Sequence, residues 1–247
     1  MPDPAPGPRP AWYAVSSGSV RDWVTILHLP YTSWHLSYVL IGAALAPRLS
    51  VPRLLGTLLA FALAVGVAAH ALDEWRGRPL GTAIPSRVLL AAAALSLAGA
   101  VAIGIVGIAR VGAGLVAFIA LGVVFVVGYN LELWGGRLHN DAVFALAWGS
   151  FPLLTAYFAQ TGTIRLEAAF GALFAYGLSR AQRVLSTDAR QLRRRVRSVT
   201  GQSVDADGTR RSVTRESLLR PLERALVALS WSVAALGIAM VLSRTGP

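Results

Sequence analysis

The 247-residue chain contains no lysine and no cysteine, and only 14% of its residues are charged. All 23 basic residues are therefore arginine. Without lysine there is no Schiff base to pyridoxal phosphate or retinal, and no phosphate-loop lysine. Without cysteine there is no thiolate nucleophile, disulfide, iron–sulfur cluster or cysteine-ligated zinc. The four histidines, His28, His35, His70 and His139, lack the spacing of a zinc site. There is no HExxH, no GxGxxG ahead of a strand, no GxSxG elbow and no phosphate loop.

What the chain does have is apolar length. Its hydrophobic fraction is 55% and its mean hydropathy +0.56. An ordinary soluble domain has roughly 45–50% apolar and about 25% charged residues, so the excess points to an all-α, polytopic transmembrane helix bundle. Residues 1–30, opening with MPDPAPGPRP, read as a disordered arm that leads into an interfacial segment, Asp22 to Pro30. They lack the apolar h-region of a signal peptide. Seven apolar stretches follow: Tyr31–Ala46, Leu54–Leu72, Val88–Ala109, Val111–Tyr129, Ala142–Gln160, Ile164–Leu178 and Leu222–Leu242. A helix rising about 1.5 Å per residue needs roughly 20 residues to cross the hydrocarbon. Residues 31–243 are thus expected to form one bundle of about seven spans. Period-2 alternation is missing, so strands are not expected.

Arginine is distributed unevenly between alternate sides of these stretches. Eighteen arginines fall on the side of the N-terminus, and five, Arg48, Arg53, Arg110, Arg165 and Arg244, on the other. The positive-inside rule then predicts a multi-pass protein of the cell membrane with a cytoplasmic N-terminus and an external C-terminus. The segment 186–220, with QLRRRVRS at 191–198, reads as a basic cytoplasmic loop that is solvated or touches anionic lipid headgroups. No nucleic-acid partner is expected beside a bilayer. Gly104, Gly107, Gly112 and Gly114 suit close helix packing.

Three polar clusters fall on the predicted cytoplasmic side. In AHALDEWRGRPLGTAIP (69–85), His70, Asp73 and Glu74 stand at i, i+3 and i+4 and share a helix face. Such carboxylates suit a magnesium ion; pairing with Arg76 or Arg78 at a helix end is the alternative. In YNLELWGGRLHND (129–141), Glu132, Arg137, His139 and Asp141 give mixed charge, which an ordinary loop also explains. On the sixth stretch Tyr176, Arg180 and Arg183 share a face, with Asp188 beyond, and interfacial anchoring is the alternative.

The segment 69–85 resembles the first aspartate-rich motif of UbiA-type membrane prenyltransferases. His70 falls at that motif's Asn position, Glu74 at its first acidic position and Arg78 at its second, and Arg78-Pro79-Leu80 resembles the element downstream. Residues 129–154 resemble the family's loop between the fourth and fifth spans, followed by a helix with Trp148-Gly149. Residues 175–196 occupy the place of the second aspartate-rich motif, where only Asp188 is acidic. The resemblance covers most of residues 20–243, with seven stretches against the family's usual nine spans.

The resemblance implies a transferase that moves a prenyl group from a lipid diphosphate to an acceptor by magnesium-assisted ionisation. Asp73, Glu74 and Asp188 would then hold Mg2+, and Arg78, Arg137 and Arg180 the diphosphate. His70, Tyr31, His35, Tyr38, Tyr129, Glu132 and Tyr176 would line the pocket. The erosion of the second acidic motif also suits a non-catalytic lipid-binding or accessory membrane protein. A UbiA-like terpene cyclase is a further alternative.

Overall fold

The computed structural model describes residues 11, 13, 14 and 19–245. The expectation for the N-terminal arm falls largely outside these residues. Helix α1 spans Ser19–Ile26 and α2 Leu29–Leu45. Then come α3 (Val51–Gly77), α4 (Ser86–Val111), α5 (Leu115–Tyr129) and α6 (Asp141–Thr161). Helix α7 spans Leu166–Arg194 and α8 spans Arg215–Thr245. Strands β1 (Thr200–Val204) and β2 (Arg210–Thr214) pair antiparallel between α7 and α8.

The helix boundaries follow local chemistry. Pro30 and Pro52 sit in the first turns of α2 and α3, where a missing N–H costs nothing. The Asn140 side chain caps α6 by accepting the N–H groups of Ala142 and Val143 at 3.0 Å. Gly162, at φ 70°, ends that helix in the left-handed conformation.

Helices α2 to α8 occupy the seven expected stretches, but they are not equivalent. Among the described residues four helices, α3, α4, α6 and α8, are long and apolar enough to cross a membrane. Helix α2 has 17 residues, α5 is shorter than a full span, and α7 becomes basic in its second half. The structure thus shows four such helices where the sequence suggests seven spans. The hairpin is a second departure. Its residues are almost all exposed, so no apolar face imposed an alternating pattern. Its signal is the turn, where Gly208 takes φ 83° and the Asp207 carboxylate accepts the Thr209 N–H at 2.9 Å.

Helix α2 is the hub of the bundle, packed against α3, α6, α7 and α8. Trp34 and Tyr38 are fully buried there; the Trp34 indole N–H and the Ser179 hydroxyl both donate to the Tyr38 oxygen, at 2.7 and 3.1 Å. At Gly42 a Cβ would collide with the Leu153 backbone, so a glycine is what lets α2 and α6 meet. Outward faces are apolar, as at Leu95 on α4, Phe170 on α7 and Trp231 on α8.

Arg53 ties together one end of the bundle. Its guanidinium donates to the carbonyls of Ala159 and Gln160 near the end of α6, and to that of Arg110 near the end of α4. The last carbonyls of a helix have no partner within it, so one side chain satisfies the ends of two helices. At the same end, Arg244 donates to the Ala44 carbonyl of α2 at 3.0 Å.

Three helices widen into π-helical turns at Ala62–Ala69 in α3, Val124–Tyr129 in α5 and Leu146–Ser150 in α6. In α6 the chemistry is visible, because Pro152 has no N–H to offer the Trp148 carbonyl four residues back. That carbonyl instead accepts from His35 Nδ1 at 2.7 Å. π-Turns of this kind concentrate at functional sites.

Candidate functional site

All four histidines, scattered from position 28 to 139, line one polar cavity of about 450 Å3. Each arrives there on a different segment. His28 precedes α2 with φ 45°, His35 lies on α2, His70 follows the π-turn of α3, and His139 comes from the loop before α6. Rings stack in pairs: His28 on His70 at 4.3 Å between centroids, and His139 on Tyr129 at 4.5 Å. Tyr13 packs against His28 and Tyr31 at 5.0 and 5.5 Å, so the N-terminal arm also reaches the cavity.

Hydrogen bonds fix the tautomers of three histidines. Nδ1 of His35, His70 and His139 meets the carbonyl of Trp148, Gly66 and Tyr129, at 2.7, 3.3 and 3.1 Å. A carbonyl oxygen only accepts, so in the neutral ring Nδ1 carries the proton and Nε2 is left as an acceptor. His28, ahead of α2, has its pKa pressed well below the ordinary histidine value, first by burial and then by the neighbouring His70.

The cavity also has a cationic lining, which comes mostly from the second half of α7. Of the described residues, five arginines line the cavity (183, 190, 193, 194 and 195) against two carboxylates, Asp73 and Glu223. Glu223 is already paired with Arg193 at 2.6 Å, and Arg183 with Asp141 at 2.9 Å. Arg183 also lies 4.9 Å above the Phe144 ring. Beyond the apolar half of α7, burial and then the Arg183 guanidinium hold Arg190 below the ordinary arginine value. A positively charged wall of this kind favours an anion.

A second, apolar cleft of about 290 Å3 runs between α3, α4, α5 and α6. It extends from Arg53 and Arg110 at one end to Val65, Val126 and Trp148 at the other. Twelve residues of α3 separate Arg53 from Val65, which is about 18 Å of helix. Val65 and Trp148 line both the cleft and the polar cavity, so the two spaces abut. All three π-turns lie at this junction.

The residues singled out from the sequence divide between the cavity and elsewhere. His70, Asp73, Tyr31, His35 and Tyr129 line the cavity. Glu74, next to Asp73, is fully buried and faces away; it accepts the backbone N–H of Leu80 and both the N–H and hydroxyl of Thr82. Arg78, at φ 48°, donates to the Thr82 and Ile84 carbonyls and to the Ser86 hydroxyl. Both side chains therefore fold the loop after α3. Glu132 pairs with Arg76 at 2.8 Å, Arg137 is exposed and Tyr38 belongs to the core beside α7. Tyr176, Arg180 and Asp188 do not line the cavity.

This distribution decides the fit to magnesium. Among the described residues no group of three or more His, Asp or Glu is placed to hold a metal ion. Both oxygens of Glu74 are occupied by its own loop, Asp188 is exposed, and Asp73 alone faces the cavity. The residues present do not fit a magnesium-bridged diphosphate.

Arg190, Arg194 and Gln182 were not among the sequence candidates. Gln182 had a signal: α7 buries Ala168, Ala172, Ala175, Ser179, Gln182, Ser186 and Ala189 in a strict 4-3 spacing. Gln182 is the one large polar side chain in that stripe of small residues.

The chain matches no protein-family model, no curated protein and no solved structure.

Proposed function

We propose that this chain is an integral membrane protein that receives a lipid with a phosphate or diphosphate head, in the manner of a prenyl diphosphate. The observation that carries the reading is the junction at Val65 and Trp148, where an arginine-lined cavity meets an apolar cleft. The head lies against Arg183, Arg190 and Arg194, and the tail runs down the cleft toward Arg53. Helices α2, α5 and α7 complete the bundle in the bilayer, with the cavity at the arginine-rich, cytoplasmic end.

In a transferase of UbiA type, the bond between the allylic carbon and the diphosphate would lie at this junction. The guanidinium groups would stabilise the charge that develops on the departing diphosphate. The Trp148, Tyr129 and Phe144 rings nearby suit an adjacent positive charge. A second reading, a non-catalytic lipid carrier or accessory protein, is favoured by one observation: of the two cavity carboxylates among the described residues, Glu223 is taken up by a salt bridge to Arg193, which leaves Asp73.

Both readings require the anionic head to bind at α7. Protein in lipid nanodiscs, titrated calorimetrically with geranylgeranyl diphosphate, should bind it more weakly as salt is raised. Arg190→Gln should reduce the affinity about tenfold or more, the effect of one charge-assisted hydrogen bond. Wild-type affinity in that variant would overturn the reading. Release of diphosphate on adding an acceptor separates the transferase from the carrier.

A further inference from the structure

The arginines explain only part of the cavity lining. The same cavity also presents acceptors. The half-buried Asp73 carboxylate, on α3, is one of its lining groups. Tyr129 Oη on α5 and Gln182 Oε1 on α7 are without hydrogen-bond partners among the described residues, although Tyr129 is 5% and Gln182 3% exposed. All three side chains line the same cavity. Buried polar atoms are normally satisfied, and one left bare carries the full cost of its lost hydration. Two such atoms beside the Asp73 carboxylate point to a ligand site.

Their chemistry limits that ligand. A carboxylate and an amide oxygen only accept, while a phenol both accepts and donates. The tautomers of His35, His70 and His139 leave Nε2 as an acceptor on three more lining residues. The complement is a group rich in O–H or N–H donors. Charge then separates the two, because five arginines against two carboxylates oppose a cationic amine. Among uncharged donors a hydroxyl also accepts, which suits the Tyr129 phenol and the neighbouring guanidinium groups, so an alcohol fits best.

We propose that the cavity holds, beside the phosphate, an alcohol whose hydroxyl groups donate to Asp73 and Gln182 and bond to Tyr129. This rests on the anionic-lipid reading and adds to it the class of the neighbouring group. The alcohol arrives as part of the same headgroup or as a separate molecule, and the chemistry that holds it is the same.

The test uses protein in lipid nanodiscs and two single-chain probes, dodecylphosphoglycerol and methyl dodecyl phosphate. The first carries hydroxyl groups beside its phosphate and the second has none. Dodecylphosphoglycerol should bind about tenfold more tightly, the worth of one hydrogen bond to a charged acceptor. Gln182→Leu and Asp73→Asn should each bring the ratio toward one, with retained binding of methyl dodecyl phosphate serving as the control for folding. Tighter binding of methyl dodecyl phosphate when free glycerol is added identifies a separate alcohol; a gain with the tethered glycerol alone identifies one molecule. Equal binding of the two probes, with no gain from glycerol, overturns the alcohol site and leaves the anionic-lipid reading standing. A ratio that neither variant moves also overturns it. Failure of both probes to bind overturns both.

Discussion

The Glu74 carboxylate accepts both the backbone N–H and the hydroxyl of Thr82, at 2.8 and 2.9 Å, from a position with no solvent exposure. Its second oxygen takes the Leu80 N–H at 2.9 Å. A buried carboxylate placed this way organises chain rather than substrate. Glu74→Gln puts donors where acceptors are needed and should destabilise the protein by about 1–3 kcal/mol. Thermal unfolding in detergent measures this. An unchanged midpoint would show that the loop holds its shape without the carboxylate.

His28 supplies a pH dependence. Its folded pKa lies well below the ordinary value of about 6.5, so the unfolded chain binds the proton more readily. The stabilising contribution is complete above pH of about 6.5 and is lost as pH falls toward the folded pKa. Within that window each pH unit costs up to about 1.4 kcal/mol. His28→Asn removes the titration, and asparagine tolerates the φ of 45° found there. Unfolding midpoints from pH 7.5 down to 4.5 should therefore fall less steeply in this variant. Parallel curves for the two proteins would assign the acid sensitivity elsewhere.

Gly42 sets how closely α2 and α6 approach. An added methyl group meets the Leu153 backbone, which cannot rotate away as a side chain would. Gly42→Ala should therefore cost about 1–3 kcal/mol, the usual penalty of overpacking. Alanine at Gly77, where nothing lies within 4 Å of an added Cβ, is the comparison. Equal midpoints for the two variants would mean that the helices separate freely.

The helices were legible because apolar length is a coarse signal that survives local irregularity. The site was less so. The motif at 69–85 drew attention to Asp73 and Glu74 together, since helical spacing puts them near one face. The structure separates them, one toward the cavity and one into its own loop. The arginines of α7 looked like loop residues because the apolar pattern ends near Leu178, whereas the small-residue stripe continues the helix to Arg194. No sequence rule foretold that four histidines from four segments converge. Of the four, His70 follows a π-turn on its own helix, which shifts the helix face partway along, and the other three arrive from α2, its N-cap and a loop.

The Arg53 guanidinium fastens α4 and α6 at the end remote from the histidines. At the other end α6 is held to different neighbours, α2 through His35 and α7 through Arg183, so the two ends of this helix depend on separate side chains. Removing the Arg53 guanidinium alone would strip the last carbonyls of α4 and α6 together, so one substitution uncaps two helices.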